Sequence, residues 1–466
     1  MGNIAQDFDF LVLGGGSAGY AAARTVHEFG KSVAVVDGGS ELSGLCILRG
    51  CMPSKTLIYS AEILHLAQKG EVFGFDGDKP VANLAEMQKR KRAVIQEFSD
   101  YRKEQLEDGP FSLYREYGSF LDANTIQLAG GLVLKAEKIL ISTGSEIYTP
   151  DLPGLRNCPF KTSDDVLNLD YLPEECIVLG GGVVACELAQ FLSRVGCRVI
   201  QLQRSNHILK GFSPEASTVV EQAFRAEKID LYTGVSLQSF EQIGENQIQV
   251  NFEHGGKSHQ LETSFLFNAL GRRPATSNLG LERVGLDCLK SGHVKTNSFQ
   301  QTQIPNIYAA GDCAGPHEIV HIAIKQGETA ARHACGESVP PLNYDSLLTV
   351  VFTDPQLAKV GLGPEEIRDR GMEPFSASYP FDDHGKSILM EAKYGYVSVH
   401  ADRKTGRILG AECVSKDAGE LIHSLSVAVA LKATPADLLK ADWYHPTLSE
   451  IWTYPLEDLA EELATS

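Results

Sequence analysis

The feature that most constrains this chain is a unit that occurs twice. Phe10-Leu11-Val12-Leu13 is a short apolar run ending in Gly14-Gly15-Gly16-Ser17-Ala18-Gly19. An alanine-rich helical stretch over 20–29 follows, and then Val33-Ala34-Val35-Val36 reads as a second buried strand ending at Asp37. Much later Cys176-Ile177-Val178-Leu179 leads into Gly180-Gly181-Gly182-Val183-Val184-Ala185-Cys186-Glu187, a helix, and a strand over 198–202. The first glycine and the end of the second strand lie 23 residues apart in both copies, Gly14 to Asp37 and Gly180 to Gln203. Strand, glycine turn, helix and strand make the dinucleotide-binding unit. Gly14 makes the turn, Gly16 lets the backbone approach a pyrophosphate, and Gly19 allows close helix packing. The helix N-terminus faces the phosphates, and Asp37 is placed to accept from ribose hydroxyls. Two units predict two nucleotides, and hence electron transfer between them.

The second copy ends differently. Gln203-Arg204 stands where the first copy has its acid. An acidic side chain there suits a free 2′-hydroxyl, whereas a neutral one beside arginine tolerates a 2′-phosphate. The second nucleotide therefore leans to NADP over NAD, unless Arg204 simply faces solvent.

Between the two units lies Gly44-Leu45-Cys46-Ile47-Leu48-Arg49-Gly50-Cys51-Met52-Pro53-Ser54-Lys55. A regular helix would hold Cys46 and Cys51 roughly 8–9 Å apart at Cα, and a disulfide wants less than about 7 Å. If they bridge, the segment is a distorted turn, and Gly50 supplies the freedom for one. An accessible bridge of that kind is reducible rather than structural. Taken alone, this spacing reads more readily as two ordinary buried thiols. Its place directly after a dinucleotide unit favours the redox reading.

The remaining signals are weaker one by one. A helical pattern continues to about Gln68, and 79–108 is polar with helical period. Its basic cluster Lys89-Arg90-Lys91-Arg92 is expected to be a solvated helix face. Residues 111–145 alternate as short strands and 150–154 reads as a linker. Residues 265–274 and 304–315 are each a strand ending in a glycine turn, and Asp312 after Ala-Ala-Gly is well placed to bond a ribityl chain. Beyond about Tyr344 strands and helices alternate as far as His445-Pro446-Thr447-Leu448-Ser449-Glu450. A carboxylate five residues beyond a histidine suggests an acid–base dyad.

At 466 residues the chain is too long for one core. Its net charge of −18 argues against nucleic acid and anionic membrane surfaces. No run is long enough to span a bilayer, and the N-terminus lacks a signal layout. Gly2 suggests myristoylation, but Gln6 stands where Ser or Thr is wanted. Ten scattered cysteines are not a secreted disulfide framework, so a cytoplasmic home is expected. No metal site is expected.

Taken together, these motifs resemble the flavoprotein disulfide reductases: dihydrolipoamide dehydrogenase, glutathione reductase and mercuric reductase. The resemblance runs through residues 14–37, 46–55, 143–145, 180–187, 271–274, 309–312, 351–361 and 445–450, in family order. It implies an α/β fold of two Rossmann-like dinucleotide-binding domains plus a C-terminal α+β dimerisation domain. The FAD domain would be 1–150 with 271–340, the NAD(P) domain 151–270, and the interface domain 341–466 in a homodimer. Carried over by position, Cys51 would lie against the flavin as a charge-transfer thiolate, and Cys46 would be the interchange thiol that attacks substrate. His445 with Glu450 would be its acid–base, contributed from the other subunit, and Lys55 would sit by the flavin and pair with Glu187. A helix-start cysteine near a cation favours the thiolate. FAD would be held by Gly14, Gly16, Ser17, Gly19, Asp37, Gly38, Lys55, Gly118, Thr143, Gly144, Ser145, Asp312 and Val320. NAD(P) would be held by Gly180, Gly182, Val183, Val184, Glu187, Gln203, Arg204, Val235 and Gly271.

The chain also departs from the family. Leu48 stands where Asn is usual, and Val183 where an aromatic gate is frequent. The run 183–190 with Gln203-Arg204-Ser205 looks most like mercuric reductase. The vicinal C-terminal cysteines of that enzyme are missing, since the last cysteine is Cys413, and mercuric reductases generally lack the His-Pro-Thr at 445–447. Arg24 sits where glutathione reductases bind a substrate carboxylate. Dihydrolipoyl groups on a carrier protein are the first-choice substrate. A small disulfide such as glutathione or a mercuric ion comes second, and a slow redox-sensing flavoprotein is the rival.

Overall fold

Apolar runs of the parallel-strand kind become buried strands here because both of their faces are covered. The computed structural model describes residues 6–465; the expectation placed on Gly2 lies outside them. Contacts divide the chain into two compact units. The first holds residues up to Leu57 with Ala85–Thr149 and Gly271–Leu342, and the second holds Ile58–Leu84, Pro150–Leu270 and Asn343 onward.

The first unit is built on strand β1 (Gln6–Leu13), which pairs in parallel with β2 (Val33–Val36) on one side and with Val133–Ile141 on the other. Ser112–Tyr114 extends the sheet beyond β2, and Ile307–Ala309 lies parallel to Val133–Ile141. Side chains alternate across the pleat. Leu11, Leu13, Ala34, Val36, Ile139 and Ile141 fill one core. Phe10, Val12, Val33, Val35 and Leu140 fill the other. Leu13, Val36 and Ile141 end in register, so the turns that follow them open on one edge of the sheet. In open parallel sheets that edge is where ligands bind.

Helix α1 (Ser17–Glu28) crosses behind β1, α2 is the short helix Gly44–Arg49, α3 spans Cys51–Gln68, and α4 spans Leu84–Glu107. The basic cluster on α4 is not uniformly solvated. Lys91 is buried on the same face as the buried Gln88. Burial, and then the neighbouring Arg92, push the Lys91 ammonium down to about 8. Helical period decides this: three of the four basic residues point to water, and the fourth is turned inward.

In the second unit, Asp230–Thr233, Arg198–Gln203, Glu175–Leu179 and Leu266–Asn268 form a four-stranded parallel sheet in that order. Leu179 is in register with Leu202 and Asn268, which repeats the edge geometry of the first unit. The C-terminal segment is a five-stranded antiparallel sheet. Its core holds Phe381, Ile451, Trp452, Leu456 and Leu459, all fully buried. No described helix is long and apolar enough to cross a membrane.

Candidate redox-active site

The glycine turn after β1 closes as its residues require. Gly14 has φ +102°, and a Cβ there would meet the Ser142 carbonyl oxygen at 2.5 Å. A side chain on Gly19 would run into the Gly14 carbonyl, so α1 packs close beneath the turn. Asp37, at the end of β2, accepts the Gly15 N–H at 2.9 Å through Oδ2 and the Gly39 N–H at 2.9 Å through Oδ1. The carboxylate therefore braces the turn and keeps lone pairs for a further donor.

The two cysteines lie on either side of a helix break. α2 ends at Arg49, Gly50 leaves the helix (φ −130°, ψ −118°), and α3 restarts at Cys51. An ideal Cβ on Gly50 would stand 3.0 Å from the Leu45 carbonyl oxygen and 3.1 Å from Cys46 Cα. The break thus brings the chain back against Cys46. Pro53 falls in the first turn of α3, where no backbone donor is needed. Ser54 donates its hydroxyl to the Cys51 carbonyl at 3.2 Å. Cys46 is half-buried and Cys51 exposed.

A hydrogen bond with Cys51, then burial, then negative charge on Cys51 push the Cys46 thiol strongly up, against the pull of Lys55 one turn along α3. Two thiolates cannot coexist in such a pair, so it keeps one proton over a wide pH range. An exchange reaction that starts at Cys46 needs a base.

The turn before α1 lies against the start of α2. Gly44, with φ +77°, lies so near the turn after β1 that a Cβ would meet Gly16 Cα at 2.8 Å. The Ser43 hydroxyl donates to the Ser99 carbonyl of α4 at 3.1 Å. Farther along these helices Arg102 lies 4.0 Å over the Tyr20 ring. Burial lowers its guanidinium from the ordinary value, and Cys46 is among the anionic groups acting on it. Arg102 is a half-buried cation of α4 within electrostatic reach of Cys46 that the sequence reading missed. It lies 11 residues beyond the buried Lys91 on the same face of α4, a relation that the sequence alone does not reveal because Lys91 sits in a basic cluster.

A second cluster gathers in the same unit. Thr143 donates its hydroxyl to the Ala275 carbonyl at 2.7 Å, and Gly144 has φ +72°. Ser145 donates its hydroxyl to Asp312 Oδ2 at 2.7 Å and receives Arg272 Nε at 2.8 Å. Gly38 and Gly118 are places of close approach: a Cβ would meet Tyr117 at 2.6 Å in the first case and Ile126 at 2.8 Å in the second. Val320 begins the helix Val320–Ala334. A backbone-lined cradle at the α1 terminus, with a fixed carboxylate at Asp312, fits FAD. Gly44→Ala is expected to weaken flavin retention about 10- to 100-fold, from about 1–3 kcal/mol of strain and displacement. Fluorescence titration of the stripped protein with FAD reads it.

In the second unit Gly180 has φ +117°, and the helix Val183–Arg194 starts after Gly182. Val183 and Val184 are exposed on its first turn. Gln203 does not brace its turn as Asp37 does. Its Nε2 donates to the His207 carbonyl at 3.2 Å, and its Oε1 accepts the Arg204 N–H at 3.1 Å, which leaves the Arg204 side chain exposed. Val235 is buried in the core of this unit. Gly271, with φ +121°, opens the strand Arg272–Pro274 in the first unit. Glu187 is buried and accepts the Phe352 N–H at 2.9 Å. Lys55 belongs to the first unit and Glu187 to the second.

The C-terminal dyad forms. His445 Nδ1 lies 2.9 Å from Glu450 Oε2 and 3.1 Å from Oε1. Glu450 stands on the 3-10 turn Ser449–Trp452, whose Ile451 and Trp452 are fully buried, and Trp452 Nε1 donates to the Leu421 carbonyl at 3.2 Å. The buried pair anchors the turn and so aims the carboxylate. The His445 side chain is 78% exposed and that of Glu450 13%. A second histidine that the sequence reading did not single out, His384, lies 3.5 Å from Glu450 Oε1. Among the described residues no three metal-ligating side chains gather as a cation site.

Residues 8–327 match the family model described as pyridine nucleotide-disulphide oxidoreductase, and 347–455 match the dimerisation domain of the same family. The chain is 31% identical over 452 residues to a mercuric reductase from Staphylococcus aureus, covering 96% of this chain and 82% of the relative. It is 30% identical over 451 residues to a dihydrolipoyl dehydrogenase from Chlamydia muridarum, covering 96% of each. Among solved structures, it superposes with a TM-score of 0.86 on the HOCl-induced flavoprotein disulfide reductase RclA from Escherichia coli, at 25% identity, over 96% of this chain and 99% of that one. LpdA from Mycobacterium tuberculosis superposes with a TM-score of 0.86 at 26% identity, over 98% of this chain and 100% of that one.

Proposed function

The chain belongs to the pyridine nucleotide-disulphide oxidoreductase family, and from that premise we propose that it is an FAD-dependent, NAD(P)(H)-linked dithiol–disulfide oxidoreductase acting on dihydrolipoyl groups. The single observation that carries this reading is the Cys46–Cys51 pair: two thiols in hydrogen-bond contact, a cation on α3, and a helix break that brings the chain back against Cys46. The dyad at His445 and Glu450 supports it, because a thiol that keeps its proton needs a base to start exchange. FAD, when bound, relays two electrons between nicotinamide and the cysteine pair.

In the direction of disulfide reduction, His445 of the partner subunit removes the Cys46 proton. The Cys46 thiolate attacks one sulfur of the substrate disulfide, breaking its S–S bond and forming a mixed disulfide. The leaving thiolate takes the proton back from the partner subunit's His445. The Cys51 thiolate then attacks Cys46 Sγ, which breaks the mixed disulfide, leaves a Cys46–Cys51 disulfide and expels the second substrate sulfur as a thiolate that takes a proton from solvent. A dihydrolipoyl dithiol runs the same steps in reverse. Lys55 would sit beside the flavin, and two copies of the chain would be needed to complete each site. A cytoplasmic home fits a pair that must be kept reducible.

A steady-state panel of dihydrolipoamide, glutathione disulfide and mercuric ion, each with both nicotinamide cofactors, tests the substrate. Turnover of glutathione disulfide or mercuric ion well above that of dihydrolipoamide would overturn the lipoyl assignment. The panel also reads the nucleotide. We infer a preference for NADP(H), since an exposed arginine beside a neutral Gln203 suits a 2′-phosphate. Arg204→Glu is expected to lower kcat/KM for NADPH about 10- to 100-fold, the worth of one charge-assisted phosphate contact. NADH should be unaffected, and equal losses for both nucleotides would end the inference.

A further inference from the structure

The thiol-exchange reading does not use the second histidine on Glu450. His384 lies between the 3-10 turn Phe381–Asp383 and the helix Gly385–Leu389, and its side chain is 1% exposed. Its Nδ1 is 2.9 Å from the hydroxyl of Ser387, itself fully buried. Its Nε2 is buried without a close hydrogen-bond partner among the described residues, and its nearest acid is Glu450 Oε1 at 3.5 Å. One carboxylate thus has an exposed imidazole on one side and a buried one on the other.

With Ser387 donating to Nδ1, the ring proton is assigned to Nε2, the atom facing Glu450. Burial pushes the His384 imidazolium down, so the ring is held neutral, while Glu450 opposes that shift and His445 adds to it. The other groups nearby do not intrude. Phe381 presents its ring edgewise at 6.1 Å, and Asp383 accepts the Tyr379 hydroxyl at 3.0 Å.

We propose that His384 is a positioning residue for the acid–base dyad: the chain Ser387–His384–Glu450–His445, and not the dyad alone, sets how firmly His445 holds its proton. The inference rests on the exchange role given to His445 above. The physical reason is competition for one carboxylate. A ring N–H facing Oε1 at 3.5 Å weakens the negative field that Glu450 directs at His445. Without that donor, Glu450 binds the His445 imidazolium more strongly, and the histidine gives up its proton only at higher pH.

The test compares His384→Leu with His384→Gln in the full-length holoenzyme, because glutamine keeps an N–H donor near the place of Nε2 and cannot titrate. His384→Leu is expected to move the midpoint of the pH profile for disulfide exchange upward, about 3- to 10-fold in proton concentration. His384→Gln should restore it, and reduction of a dye by NAD(P)H should stay unchanged in both. In a Glu450→Gln background the leucine substitution should move nothing further. An unshifted profile, or an equal shift without Glu450, would mean that His384 only packs. If His384→Leu does not fold, Ser387→Ala should shift the midpoint in the same direction by less, and an unmoved midpoint overturns the proposal.

Histidine-labelled protein separates this inference from the function beneath it. If His445→Ala spares disulfide exchange, the exchange role falls. The NMR titration of the His445 ring in wild type and His384→Leu then decides the coupling alone. A displaced titration supports it and coincident curves refute it.

Discussion

Cys46→Ser is expected to abolish disulfide exchange, by about 10³-fold or more, while dye reduction by NAD(P)H continues near its normal rate. The loss is large because no other thiol stands where Cys46 does. Cys51 is the neighbour that keeps Cys46 protonated, and serine at position 46 offers no sulfur for a mixed disulfide. The nucleotide half of the reaction does not pass through Cys46, so it should survive. The reciprocal variant reads differently. Cys51→Ser should remove the long-wavelength absorbance that a thiolate against the flavin gives in the two-electron-reduced protein, whereas Cys46→Ser should keep it. If reductive titration of the wild type shows no such band, the assignment of Cys51 to the flavin side is wrong.

His445→Ala is expected to lower disulfide turnover about 10²- to 10⁴-fold, the usual worth of a positioned acid–base group, with dye reduction again spared. The argument comes from Cys46. Its hydrogen bond with Cys51, its burial and the charge on Cys51 keep its thiol protonated far above neutral pH, so spontaneous ionisation supplies little thiolate. Glu450 holds the His445 ring at 2.9 Å, and Glu450 is anchored by the buried Trp452 on the same turn; as the proposed base, His445 would supply the missing thiolate. Glu450→Gln should cost less than His445→Ala, since the imidazole remains and only its orientation and field are weakened. Equal losses in both half-reactions would make His445 a structural residue.

Much of this architecture was legible because it depends on short-range constraints. The two glycine turns could be placed from spacing because a left-handed glycine at the end of an apolar strand has few uses. Gly14 and Gly180 take that conformation, at φ +102° and +117°. The break at Gly50 was readable from the misfit between a five-residue separation and a continuous helix. Asp312 was placed in its turn correctly, yet its partners Ser145 and Arg272 come from segments far away in the sequence.

The departures from the sequence reading share one cause. Lys91 was assigned to a solvated face with its basic neighbours and is buried, because helix phase and not local composition decides which side meets the core. Residues 58–84 belong with the second compact unit although they follow the cysteines directly. His384 and Arg102 carry no motif and entered the account only through what they touch.

By itself the sequence determined the two dinucleotide units and the cysteine pair between them, and it suggested the dyad of His445 with Glu450. All of these rest on backbone geometry and on residues within one or two turns of each other. Only the tertiary structure decided that Lys91 is buried, that Cys51 and burial push the Cys46 thiol up, and that Glu450 lies between two histidines. Those outcomes depend on burial and on charges brought together from distant segments, and neither quantity is defined until the sheets have packed.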